Sequence, residues 1–219
     1  MLIFDLRKPK NTPMNKIKLI ALILVVQFNF VQCQEKVEVE TYEVTPEFAK
    51  KLDKPEVHFT VDIPKQLKLE KPVEGKKSFS YGMIQEVGKD SVVTEMYSFG
   101  YISLDGMSLE KDGLTFMKQI RDMLKSGGYE LEEDNIGILE FDGEKYLALQ
   151  TIGTMKEGLS DQFVGRYFFN VVAKPNPHGN THIVMLMAAR DDQGISTHED
   201  FKDKLSTSTV WKTFKYLEE

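Results

Sequence analysis

His178 and His182 stand four residues apart, a spacing at which two imidazoles can hold one metal ion when both project from one face of a helix. The intervening Gly179-Asn180-Thr181 reads as a loop entering a strand, so that helical geometry is denied to them. A surface site would need further ligands from Asp191, Asp192 or His198, whereas exposed loop histidines need none. The acids Glu132-Glu133-Asp134 and Asp191-Asp192 are sequence neighbours in turn-like stretches, where water solvates them and no burial tunes them for acid–base work. No Gly-x-Ser-x-Gly elbow, glycine-rich phosphate loop or His-Glu-x-x-His occurs. The residues therefore predict no catalytic group, no cofactor and, beyond the two histidines, no metal ligand.

Aromatic side chains carry more information. Tyr97, Phe99 and Tyr101 alternate on one face of a strand, Phe79 and Tyr81 do so on the segment before it, and Tyr167 and Phe169 form a third pair. Such stripes either fill a core or line an apolar pocket between sheet and helix, with tyrosine hydroxyls orienting a small ligand. Eight methionines follow Cys33 and would suit an adaptable pocket wall.

Cys33, the only cysteine, ends an uncharged stretch from Leu19 to Gln34 that follows Lys16 and Lys18. A basic lead, a short apolar block and a small residue at the exit are the marks of an export signal over residues 1–33, with Met14 as an alternative internal start. The unbroken apolar core, Leu19 to Val26, is far shorter than the roughly 20 residues a membrane-spanning helix needs. Cleavage after Cys33 would release a periplasmic or secreted protein. The exit also resembles a bacterial lipobox, in which Cys33 is lipidated and anchors the chain to the envelope, although Gln32 and Phe30 depart from the usual residues. Membrane association is expected only through such a lipid.

Removing residues 1–33 takes five bases and one acid from totals of 28 and 34, which leaves 23 against 33 and a net charge of −10. Such a surface repels phosphate backbones, which argues against nucleic-acid partners. With no cysteine pair, burial alone must hold the fold.

The elements are read as follows. Residues 34–54 form a spacer, with an edge-strand alternation to Val44 and a short helix that opens at Thr45-Pro46-Glu47; a single domain spans 55–219. Strands are predicted over Val57–Ile63, Leu67–Glu70, Phe79–Ile84 and Val92–Leu104. The best helix runs from Leu109 to Ser126, where Leu114, Met117, Ile120 and Leu124 recur at helical spacing and Phe116 and Met123 widen the stripe. Asp142-Gly143 joins a hairpin, Phe163–Ala173 follows, and Thr181–Ala189 is apolar on both faces, as a central strand should be. A capping box at Ser196-Thr197-His198-Glu199 and a last helix carrying Val210, Trp211, Phe214 and Leu217 close the chain. The class is α+β: an antiparallel β-sheet with one long central helix and C-terminal helices packed on its faces.

Phe59-Thr60-Val61-Asp62-Ile63-Pro64, the mid-chain helix, Leu139-Glu140-Phe141-Asp142-Gly143-Glu144-Lys145, Arg166-Tyr167-Phe168-Phe169 and Trp211-Lys212-Thr213-Phe214-Lys215 together resemble the PsbP/Mog1-type fold over residues 55 to 217. That resemblance implies a non-enzymatic binding or scaffolding domain, since members include photosystem accessory proteins, a small-GTPase partner and bacterial envelope proteins. It carries no site residues across. The leading expectation is thus an exported, bacterial, non-enzymatic domain with a protein or envelope partner. A carrier of a small apolar ligand is the alternative, and a hydrolase with an unrecognised site is the third.

Overall fold

The structure is a computed structural model and describes residues 37–76, 78–103 and 111–218. The export segment, Met14 and Cys33 lie outside the described residues, as do residues 109 and 110, where the long helix was expected to begin. Among the described residues no helix is long and apolar enough to cross a membrane.

In chain order the elements are β1 (Val39–Val44), α1 (Pro46–Lys51), β2 (Phe59–Pro64), β3 (Lys68–Glu70), β4 (Met83–Val87), β5 (Val93–Ser103), α2 (Lys111–Ser126), β6 (Tyr129–Phe141), β7 (Glu144–Met155), β8 (Arg166–Lys174), β9 (Thr181–Arg190), α3 (Ser208–Thr213) and β10 (Lys215–Tyr216). Two 3₁₀ turns, Asp191–Gln193 and His198–Lys202, precede α3. Seven strands form one antiparallel sheet in the order β3-β4-β5-β9-β8-β7-β6, and β1-β2-β10 form a second. The fold class is the expected α+β, but with two sheets where one was read.

Local chemistry explains the elements. Thr45 Oγ1 accepts the Phe48 amide at 3.2 Å and Pro46 opens α1 behind that cap. Asp142 and Gly143 both take positive φ (54° and 77°), the geometry of a tight hairpin turn, and let β6 and β7 pair from Phe141↔Glu144 back to Tyr129↔Met155. Strand β9 lies between β5 and β8, which accounts for its apolar character on both sides. Ile183, Met185, Met187 and Ala189 join one core, and Val184 and Ala188 the other.

These two cores sit on opposite faces of the large sheet. One is closed by the small sheet, α1, α3 and the 3₁₀ turns, and holds Tyr42, Val44, Ala49, Phe59, Phe201 and Trp211. The other lies under α2, whose Met117, Ile120 and Leu124 meet Leu149, Tyr167 and Phe169. Because β1 pairs along β2 and Val44 and Ala49 are fully buried, the domain starts near residue 38; residues 39–54 are part of it and not a spacer.

Three other expectations are corrected. Phe79–Gly82 is not a strand: Tyr81 N donates to Phe99 O and Phe99 N to Gly82 O, but regular pairing with β5 begins only at Met83. The capping box is formed by Thr197 and Asp200, whose Oδ2 accepts the Ser196 and Thr197 amides, and it opens a 3₁₀ turn. The last helix stops at Thr213. Phe214 and Tyr216 then alternate as in a strand, and Lys215 and Tyr216 pair with Thr60 and Phe59 of β2.

Candidate functional site: an apolar groove beside helix α2

Helix α2 covers β6 and β7 more than β5 and β9. On the uncovered stretch the face of β5 presents Ser98 and Gly100, side chains too small to reach the helix. A Cβ on Gly100 would lie 3.4 Å from Val184 O, 3.8 Å from Val184 Cβ and 4.0 Å from Phe79 O. Small residues here, beside a wide apolar stripe on α2, leave a groove of about 550 Å³. Its floor is Ser98, Gly100, Val184 and Leu186; its far wall is Phe116, Gln119, Ile120 and Met123; Phe79, Ser80 and Tyr101 close the near side. A further space of about 380 Å³ shares Tyr101, Phe116 and Gln119 and runs on toward Ser103 and Asp112. No charged side chain lines the larger space among the described residues, so it favours neutral, apolar matter.

At the mouth stands Phe79, 91 % exposed. The residues that flank it are nonetheless held. Lys54 Nζ donates to Ser78 O at 2.7 Å, Tyr81 OH donates to Pro55 O at 2.6 Å, and Tyr42 OH donates to Tyr81 O. Burial lowers the Lys54 ammonium from its usual range and pushes the Tyr81 hydroxyl well above its own, which keeps the Tyr81 proton in place to donate at neutral pH. An exposed aromatic on a braced segment offers apolar contact with little entropy left to lose, which is how binding anchors are built.

Of the seven aromatics singled out from sequence, Phe79 and Tyr101 line this groove and the other five fill cores. Register decides which face of the sheet each strand aromatic takes. Tyr97 lies opposite Met187, which lies opposite Asn170, so Tyr97, Phe99 and Tyr101 share the face that carries Asn170 and point away from Tyr167 and Phe169. Phe59 packs against Tyr81, Phe99 and Phe214 with ring centroids 5.2–6.1 Å apart, and Tyr97 stacks on Phe99 at 5.4 Å. On the α2 face Tyr129 meets Tyr167 and Phe169 edge-on, and Tyr167 OH donates to Val93 O at 2.6 Å. Burial raises the Tyr167 hydroxyl to about 12. One pocket containing all seven is thus ruled out by the pleat. The residues that sequence reasoning missed are Ser98, Gly100, Phe116, Ile120, Met123, Val184 and Leu186. Their signal was the pairing of an aromatic face with a small-residue face on β5, opposite a helix stripe wider than one contact needs.

The histidines and acids do not converge. His182 Nδ1 accepts the Asn176 amide at 2.8 Å, whereas His178 is exposed and its own amide donates to Asn176 Oδ1. Asp191 and Asp192 follow the far end of β9, roughly 30 Å from His182 at strand rise. They pair with Arg166 and Arg190, and Glu132 takes Arg166 bidentately at 2.7 and 2.8 Å. Among the described residues no group of three or more His, Cys, Asp or Glu could hold a metal ion. Glu95, which is buried, and the half-buried His198 each bond to backbone. Glu95 accepts the Ser206 and Thr207 amides, and His198 Nε2 bonds Thr151 O. Desolvation raises the Glu95 carboxyl, against the pull of those two amides, and lowers the His198 imidazole.

No protein-family model matches the chain, and no curated protein matches it. Among solved structures, the solution structure of cyanobacterial PsbP (CyanoP) from Synechocystis is similar at 16% identity and a TM-score of 0.48, over 85% of this chain and 98% of that one. The Ran-binding protein Mog1p of Saccharomyces cerevisiae is similar at 11% identity and a TM-score of 0.40, over 81% and 96%. The fold is PsbP/Mog1-like, the resemblance that the element order carries. At these identities the likeness concerns the fold alone.

Proposed function

We propose that the protein is a non-enzymatic binding domain, exported from a bacterial cytoplasm, that grips an apolar element of a protein partner in the envelope through the α2–β5–β9 groove. One observation carries this reading: a solvent-exposed, braced Phe79 stands at the mouth of an uncharged apolar groove of about 550 Å³. An open trough with an aromatic at its rim suits a side chain or short segment presented by another macromolecule. The buried acids and histidines, bonded to backbone and remote from the groove lining, support binding and not hydrolysis. Export and the fate of Cys33 rest on the sequence. Intact-mass measurement of the protein from its own host tests them, through a chain starting at Gln34 or a diacylglyceryl increment on Cys33.

A second reading, the carrier of a small apolar ligand, draws support from the volume, which lies within the roughly 300–1,000 Å³ of small-molecule sites. One experiment separates the two. A photo-crosslinking residue in place of Met123, half-exposed on the rim, should yield an adduct of protein mass in the native host. Gly100→Leu, which fills the floor, should remove it. An adduct of a few hundred daltons would instead establish the carrier. No adduct, or one that survives Gly100→Leu, would overturn the groove as the binding site.

A further inference from the structure

Strand β6 ends the seven-stranded sheet, paired with β7 along one side and with no strand on the other among the described residues. Open edges of this length invite pairing, and proteins blunt them with charges and bulges. The first half of β6 is blunted in this way. A bulge falls between Leu131 and Glu133, and Glu130, Glu132 and Asp134 are ion-paired to Lys156, Arg166 and Arg121. The second half is not. Asn135-Ile136-Gly137-Ile138-Leu139 carries no charge, Ile138 is 50 % exposed, and a Cβ on Gly137 would meet nothing closer than Leu139 Cδ2 at 4.0 Å. The opposite edge, β3, is only three residues long and carries the Lys68–Glu70 pair.

We propose that residues 135–139 of β6 are a docking edge for an extended segment of a partner, with an uncharged centre and a basic residue at each end. Charge selects the occupant. The open section is flanked by Glu132, Glu133 and Asp134 on one side and by Glu140 and Asp142 on the other. Pairing with a second copy about Gly137 would set Asp134 of each chain, whose Arg121 partner is shared with the nearer Asp122, opposite Glu140 of the other, and like charges directly opposite are destabilising. A strand with lysines at those positions meets the same acids favourably and completes the backbone ladder, as in recognition by strand addition. Its alternate side chains would cover Ile138 on one face and Leu139 on the other. This surface is separate from the groove lining.

The test uses a labelled peptide of alternating threonine and valine with a lysine at each end, and the same peptide ending in glutamates. Fluorescence anisotropy should show the basic peptide binding, about tenfold more tightly than the acidic one and more weakly as salt rises. Amide exchange should slow at residues 135–139. Ile138→Lys, at a half-exposed position that tolerates the change, should weaken binding about tenfold, whereas Phe79→Ala should leave it unchanged. No binding, equal binding of the two peptides, protection elsewhere, or indifference to Ile138→Lys would each overturn the proposal. A concentration-dependent dimer abolished by Ile138→Lys would overturn it in favour of a second copy.

Discussion

The two faces of the seven-stranded sheet are built from the same residue types and differ in how fully they are covered. On one face, the small sheet, α1, α3 and the 3₁₀ turns bury Phe59, Tyr81, Tyr97, Phe99, Phe201 and Trp211 almost completely. On the other, a single helix covers part of the surface, and Ser98 and Gly100 leave the remainder open. Aromatic density therefore marks structure in this protein, and small residues under a wide helix stripe mark the place left for something else.

The largest effect should come from the filled face. Phe59 is fully buried and its ring touches those of Tyr81, Phe99 and Phe214. Phe59→Ala should cost about 3–5 kcal/mol in urea unfolding, the range for emptying a large buried aromatic site. A cost below about 1 kcal/mol would mean that the face can collapse around the hole, and the contrast between filled and open faces would fail.

How much of this was legible before the fold was known follows from the same contrast. Strands with strict alternation, the Asp142-Gly143 turn, the α2 stripe and the two-sided β9 are local signals, and each appears where the sequence places it. The second sheet was legible only in part: the alternation to Val44 reads as an edge strand or a spacer and β1 is an edge strand, but nothing local tells that it pairs with β2, and the brief β10 looks like a helix end. The groove was half legible. Phe79 and Tyr101 were named for the wrong reason, as members of one aromatic wall. Strand register sends Tyr97 and Tyr167 to opposite faces, and register is a tertiary fact. Of the histidine pair, His182 lies in β9 and spends its Nδ1 on the Asn176 amide, a contact that no spacing in the sequence announces.

A smaller, pH-dependent effect should also belong to the filled face. His198 packs on Phe168, and since Thr151 O can only accept, Nε2 carries the hydrogen and Nδ1 is the site that would gain a proton. Burial lowers the imidazole from its ordinary 6.5, so on acidification the unfolded chain takes the proton before the folded one. The stability it contributes is complete above about pH 6.5 and drains away as the pH falls through the lowered folded value. The carboxylate of Asp200, whose folded value lies well below the ordinary 3.8, acts in a separate window at lower pH. His182 is lowered in the same sense and adds to the slope. Glu95, raised by burial, works in the opposite sense as the pH falls, so the reading is a difference: between pH 7.5 and 5 the urea midpoint of the parent protein should lose ground to that of His198→Gln, which keeps an N–H donor but does not titrate. Parallel slopes would show that the site is more open than its packing implies.

The smallest stability effect should sit where the functional effect is largest. The Phe79 side chain is almost wholly in water, so Phe79→Ala should change unfolding free energy by less than about 0.5 kcal/mol, as surface substitutions do. The bonds that hold the segment come from Lys54, Tyr81 and Tyr42 and remain intact in the variant. Loss of the Met123 crosslink in a protein of unchanged stability would then be assigned to the missing ring itself. If Phe79→Ala instead destabilised the fold by 2 kcal/mol or more, on the order of a buried aromatic's contribution, Phe79 would belong to the core after all. The open face would then be an extension of the filled one.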